Sequence, residues 1–139
     1  VAGRALTGLA LAGAGVLLLL AAATACGARA PAEATVTMRF SRFLPAEVTV
    51  PAGRPVTFTL RNDDPIEHEW IVGPPGVHHR HRTGIEPFHG EIPTEVTVPA
   101  LEERTTVVTF ERPGEYLYIC HLPGHEAYGM VGVVRVVGR

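Results

Sequence analysis

The sequence predicts an all-β domain, a sandwich of two sheets, and three observations predict it. Short β-branched or alternating runs follow one another from Thr35 onward, each closed by a proline or glycine turn. Gly (15 residues) and Pro (12) are plentiful beside many Val and Thr, while aromatics make up only 6%, a balance that favours strands and turns. No segment carries an apolar stripe of period 3.6 for more than two turns.

The elements follow in order. Thr35 to Phe40 alternates, with Val36, Met38 and Phe40 on one face. Pro45 interrupts, Glu47 to Val50 resumes, and Pro51-Ala52-Gly53 turns the chain. Pro55 to Leu60 places Val56, Phe58 and Leu60 inward, and Asn62-Asp63-Asp64-Pro65 has the composition of a turn. His68 to Val72 is the next strand, ended by Gly73-Pro74-Pro75-Gly76. After a long irregular segment come Glu95 to Val98 and Thr105 to Phe110, with a turn at Arg112-Pro113-Gly114. Tyr116 to Cys120 and Val131 to Val137 close the domain. Seven or eight short strands with turns at this spacing suit a sandwich.

The first quarter of the chain has another character. Arg4 precedes an apolar stretch from Leu6 to Ala23, which ends in Ala23-Thr24-Ala25-Cys26. A positive start, an apolar core and a small-residue end form an export signal. Residues 1–25 read as a signal of the lipoprotein type with Cys26 lipidated, residues 26–34 as a tether, and residues 35–139 as the domain. Plain secretion after an A-x-A cut, or an uncleaved anchor near the lower length of about 18 residues for a spanning helix, are the alternatives. All three place the domain outside the cytoplasm, attached to a membrane in the first and third. The formal net charge of −2 gives no electrostatic case for nucleic acid, and all 12 basic residues are Arg. The length gives room for one domain, and a monomer is expected.

The chemistry concentrates between two strands. Cys120, His125 and Met130 stand at spacing C-x4-H-x4-M, with Pro123-Gly124 and Gly129 able to fold the chain back on itself. Thiolate, imidazole and thioether so placed are three of the four groups of a trigonal Cys/His/His copper site with a weak axial Met. An ordinary core cysteine beside surface residues is the plain alternative; three ligand types within eleven residues speak against it.

With this loop, and with His68 opening a strand after a mid-chain turn, the chain from Thr35 to Val137 resembles the cupredoxins, the blue copper family of plastocyanin and azurin. The resemblance implies a Greek-key sandwich holding one type 1 copper ion through His68, Cys120, His125 and Met130. It implies a non-enzymatic carrier of single electrons that meets redox partners transiently around His125, where Leu122, Pro123, Ala127 and Tyr128 offer an apolar patch. Glu69 stands where plastocyanin and azurin carry Asn, and Ile119 replaces the Tyr before the plastocyanin cysteine. A binuclear copper centre needs a second cysteine where this chain has Gly124. A multicopper oxidase flanks its cysteine with two histidines, and here Ile119 precedes Cys120. Zinc is disfavoured, since structural zinc sites prefer several cysteines and make no use of thioether.

Four of the seven histidines, His78, His79, His81 and His89, fall in the segment from Gly73 to Thr94. In extended chain His79 and His81 would share a side. These four read either as a secondary metal site, with Glu86 and Glu91 assisting, or as a solvated loop. Arg80 and Arg82, which would repel a cation, weigh toward the loop. With that segment as an acquisition site, copper storage or delivery is the alternative to electron transfer.

Overall fold

The computed structural model describes residue 3 and residues 32–138. The export signal, Cys26 and the start of the tether lie outside the described residues. Among those described, no helix is long and apolar enough to cross a membrane.

Among the described residues nine strands form two sheets. The first has the order β2-β1-β4-β7, built from β1 (Ala32–Met38), β2 (Phe43–Leu44), β4 (Pro55–Asn62) and β7 (Glu103–Thr109). The second has the order β3-β9-β8-β5-β6, built from β3 (Glu47–Pro51), β5 (His68–Gly73), β6 (Glu95–Val98), β8 (Gly114–Ile119) and β9 (Val131–Val137). β1 runs parallel to β4 and β3 parallel to β9, and the remaining pairs are antiparallel. The chain crosses between sheets from β2 to β3, β3 to β4, β4 to β5, β6 to β7 and β7 to β8, as a Greek-key sandwich requires.

The period-2 pattern explains the core. Val56, Phe58 and Leu60 are completely buried, and they meet Trp70, Val72, Tyr118 and Val134 from the facing sheet. Phe58 and Trp70 pack with ring centroids 4.9 Å apart, and Phe43 meets Tyr118 edge-on at 5.0 Å. Tyr118 keeps its hydroxyl satisfied by donating to the Pro45 carbonyl at 2.8 Å.

Three expectations are corrected. The first strand begins at Ala32, not Thr35, because its parallel ladder with β4 starts at Ala32↔Val56. Phe40 leaves the alternating face: its φ is 55°, that of Ser41 is 52°, and its ring is exposed. The segment after β5 is not wholly irregular, for Pro75–Thr83 forms a helix, α1.

That helix has no strong amphipathic stripe; its ends and one buried side chain hold it. Pro75 at its first turn lacks an N–H that would be unpaired there anyway. At the other end the Gly84 N–H and the Ile85 N–H donate to the His81 and Arg80 carbonyls. His78 is the buried residue of the helix; its Nε2–H donates to the Leu117 carbonyl at 3.2 Å. Its Nδ1 is thereby left to accept from His121 Nε2 at 3.0 Å. Burial holds both imidazoles below their usual range, and His121, with the neighbouring His78 adding to the effect, is pushed down to about 4.

Two outcomes follow from this packing. A Cβ at Gly132 would lie 2.2 Å from the Tyr118 ring, so Gly132→Ala should destabilise the domain by about 1–3 kcal/mol in chemical denaturation. An unfolded chain protonates His121 near 6.5, whereas in the native chain its imidazole resists until about 4, and burial lowers His78 in the same direction. Stability of the metal-free protein should therefore fall progressively as pH drops through that window. A flat profile between those limits in a denaturant series would contradict the buried neutral imidazoles.

Candidate metal centre

Four predicted ligands come from two places in the fold. His68 is the first residue of β5, completely buried. Cys120, His125 and Met130 come from the loop joining β8 to β9. The Cys120 N–H donates to the Met130 carbonyl at 3.3 Å, extending the β8–β9 ladder by one rung and closing the loop at its base. The Met130 N–H in turn donates to the His125 carbonyl at 3.0 Å, and the His125 N–H to the Leu122 carbonyl at 3.0 Å. Such tight reversals need left-handed backbone, supplied by Gly124 (φ 84°) and Gly129 (φ 89°).

The donor atoms converge. His68 Nδ1 lies 3.2 Å from His125 Nδ1, and Cys120 Sγ lies 3.2 Å from the same nitrogen. Ligand atoms of His68, Cys120 and His125 are all within 4.8 Å of one another. Met130 is fully buried, with its backbone tied to both Cys120 and His125. Two ring nitrogens and one sulfur aimed at a common point fit a copper-type donor set.

The surroundings fix each donor. His68 Nε2–H donates to Asp64 Oδ2 at 2.9 Å, which leaves the Nδ1 lone pair facing the cluster. Asp64 also accepts from the Phe40 N–H (2.7 Å) and the Ser41 N–H (2.8 Å). Burial alone would raise the Asp64 carboxyl; the Ser41, Phe40 and His68 donors outweigh it, and the group sits below its usual range. Asn62 supports this turn from beneath, accepting from the Asp64 N–H and donating to the carbonyls of Ile66, Val98 and Pro99. Sequence reasoning placed Asp64 and Asn62 in a turn and missed their role; the available signal was an acidic residue four positions before the ligand histidine.

Cys120 accepts a hydrogen bond from the Glu69 backbone N–H at 3.4 Å, so the contact does not depend on which side chain position 69 carries. Burial pushes the Cys120 thiol up and the His125 imidazole down, the latter also through its proximity to His68. Both groups therefore favour their uncharged forms in the metal-free protein. Cys120 is a free cysteine.

The four histidines of the insertion separate. His79 is exposed and joins neither donor group, while His78 serves the packing of α1. A helix turns residues three apart to one side, so His78 and His81 share a face rather than His79 and His81. His81 and His89 approach Glu95, at 3.2 and 3.0 Å. The two cations expected to repel a metal are engaged elsewhere or already paired: Arg82 with Glu126, Arg80 with Glu86.

A sandwich whose final loop brings a half-buried histidine and a buried cysteine against a buried strand-end histidine has the architecture of a mononuclear metal-binding β-protein. The family model for the cupredoxin-like domain matches residues 10–133, and this chain belongs to that family. It is 34% identical over 116 residues to the copper-resistant cuproprotein CopI of Rubrivivax gelatinosus, covering 79% of this chain and 70% of that protein. Among solved structures, reduced auracyanin of Roseiflexus castenholzii superposes with a TM-score of 0.64 at 22% identity, covering 78% of this chain and 99% of that one. Auracyanin A, a "blue" copper protein of Chloroflexus aurantiacus, gives 0.60 at 23% identity, covering 77% and 99%. At those identities the structural likeness speaks to the fold.

Asp64→Asn should weaken copper binding about 10–100-fold, since the amide no longer holds the His68 tautomer as a carboxylate does. Competition against a copper chelator measures this, and an unchanged affinity would remove Asp64 from the ligand-orienting role.

Proposed function

We propose that this chain is an extracytoplasmic blue copper protein that binds one copper ion through His68, Cys120, His125 and Met130 and passes single electrons between redox partners. The observation that carries this reading is the convergence of His68 Nδ1, His125 Nδ1 and Cys120 Sγ on one point. The bound ion supplies one reversible oxidation step between Cu(II) and Cu(I). The protein supplies a fixed donor set that suits both states: imidazoles tolerate either, while thiolate and the Met130 thioether favour Cu(I). Asp64 and the Glu69 N–H lock His68 and Cys120 in place, which keeps reorganisation small.

His125 is half-buried at the surface end of the site, with exposed Pro123, Ala127 and Tyr128 around it and Leu122 beneath. That patch suits brief, weakly polar contact with a partner protein, and His125 is the exit for the electron. The export-type N-terminus supports placement outside the cytoplasm, with acylated Cys26 as the membrane attachment. The chain's role is carriage, not catalysis.

The similarity to a copper-resistant cuproprotein favours a second reading, in which the protein holds or delivers copper. Two measurements separate these. The copper(II) protein should show an intense visible thiolate-to-metal band that Cys120→Ser abolishes; a colourless copper(II) form refutes the blue-site assignment. Repeated reduction and oxidation without loss of metal supports the carrier. Copper lost to a competing Cu(I) chelator faster than electrons exchange supports delivery.

A further inference from the structure

We infer that the protein carries a second metal site, separate from the Cys120 centre, in which His81 of α1, His89 of the following loop and Glu95 of β6 bind a divalent copper or zinc ion, with Glu86 completing the set. Glu95 Oε2 is the hub: His81 Nε2 lies 3.2 Å from it and His89 Nε2 lies 3.0 Å from it. Glu86 Oε1 is 3.7 Å from His89 Nε2, and ligand atoms of His81, Glu86 and Glu95 are all within 4.8 Å of one another. His81, His89 and Glu95 border a cavity of about 230 Å³ lined also by Glu69, Glu91 and Ile71.

Three features point to a cation rather than a set of ion pairs. His81 Nε2 is buried and has no hydrogen-bond partner, because Glu95 lies near it but off the bonding direction. An orphaned ring nitrogen beside a carboxylate is a ligand atom without its acceptor. Second, His89 Nδ1–H donates to the Gly90 carbonyl at 2.8 Å, which fixes the ring with Nε2, the nitrogen left for a metal that would displace its proton, facing Glu95. His81 is oriented as well, its ring stacked on His121 at 5.2 Å and 5°. Third, carboxylates dominate the locality: Glu69, Glu91 and Glu95 line the cavity, Arg80 is paired with Glu86, and Arg82 is drawn away to Glu126.

The donor set selects the ion. Two imidazoles with two carboxylates suit borderline divalent ions such as Cu(II) and Zn(II). Calcium and magnesium prefer all-oxygen shells, and Cu(I) prefers sulfur. The ligands come from three consecutive elements, α1, its loop and β6, so a bound ion would pin the insertion to the sheet edge.

The test is copper(II) and zinc titration of the full chain, followed by calorimetry and by EPR for copper. The wild-type chain should bind two equivalents of copper(II), the second giving a nitrogen-coordinated signal without the visible thiolate band. His81→Ala and Glu95→Gln should each weaken that second equivalent at least tenfold while leaving the visible band of the first centre unchanged. Cys120→Ser should lose the band and keep the second equivalent, so the two sites fail independently. If a variant unfolds, imidazole NMR of the wild-type chain reads the site directly: zinc should shift His81 and His89 and spare His79. A single equivalent of copper, a second equivalent that survives His81→Ala and Glu95→Gln, or zinc shifts at His79 in place of His81 and His89, would overturn the assignment.

Discussion

Asp64 ties three loops together at one end of the sandwich, two through its carboxylate and one through its backbone carbonyl. One oxygen accepts from the Phe40 N–H; the other accepts from the Ser41 N–H and from His68. The Asp64 carbonyl accepts from the Leu101 N–H, which brings in the turn between β6 and β7. Phe40, Ser41 and Leu101 all have positive φ, a conformation costing a non-glycine residue on the order of 1–2 kcal/mol. Successive left-handed residues point their N–H groups into a shared concavity, which an anion fills. Asp64 is that anion, and the strained β1–β2 turn and the aim of His68 are consequences of the same group.

The other half of the centre is fixed by a different device. The β8–β9 hairpin carries its ladder through Ile119↔Val131 and one further rung at Cys120 and Met130, so both sulfur-bearing residues leave rigid strand ends. His125 sits at the middle of the loop they close. Because the donors are buried, the site disfavours both a free thiolate and a protonated His125. A cation reverses that balance: it takes the place of the proton on Cys120 and needs neutral imidazoles. Metal binding is thus linked to proton release, and affinity rises with pH over the range in which the thiol would otherwise stay protonated. Burial thus disfavours charge on either donor of the metal-free pocket, and a bound cation would offset that cost.

The strands and the ligand loop were legible in the sequence because their signals are local. Period-2 alternation at Val56, Phe58 and Leu60, the turn prolines, and the C-x4-H-x4-M spacing each lie within a dozen residues. What stayed hidden depends on distant parts of the chain. The pairing of Asp64 with the Phe40 and Ser41 N–H groups spans more than twenty residues, and no propensity marks it. Helix α1 lacks an apolar stripe because its anchor is a histidine bonded to Leu117 and His121, so a search for hydrophobic periodicity passes over it. Reading that stretch as extended chain then paired His79 with His81 and left out Glu95, which alternation alone assigned to an ordinary strand.

The insertion and the copper loop also share structure. His121 follows Cys120, accepts no role at the first centre, and is held between His78 by a hydrogen bond and His81 by a ring stack. Glu69 follows His68 and faces the opposite way, its backbone N–H on Cys120 and its side chain on the cavity beside His81 and Glu95. The residues immediately after two ligands of the first centre therefore form the wall of the second cluster. β alternation makes this unavoidable: once His68 points into the site, Glu69 points out of it. Donor chemistry then sorts the two faces. Sulfur and imidazole on the inner face suit the reduced metal, while imidazole and carboxylate on the outer face suit a divalent ion. The two clusters thus offer different donor chemistry on opposite faces of β5, with His121 packed beside the outer one.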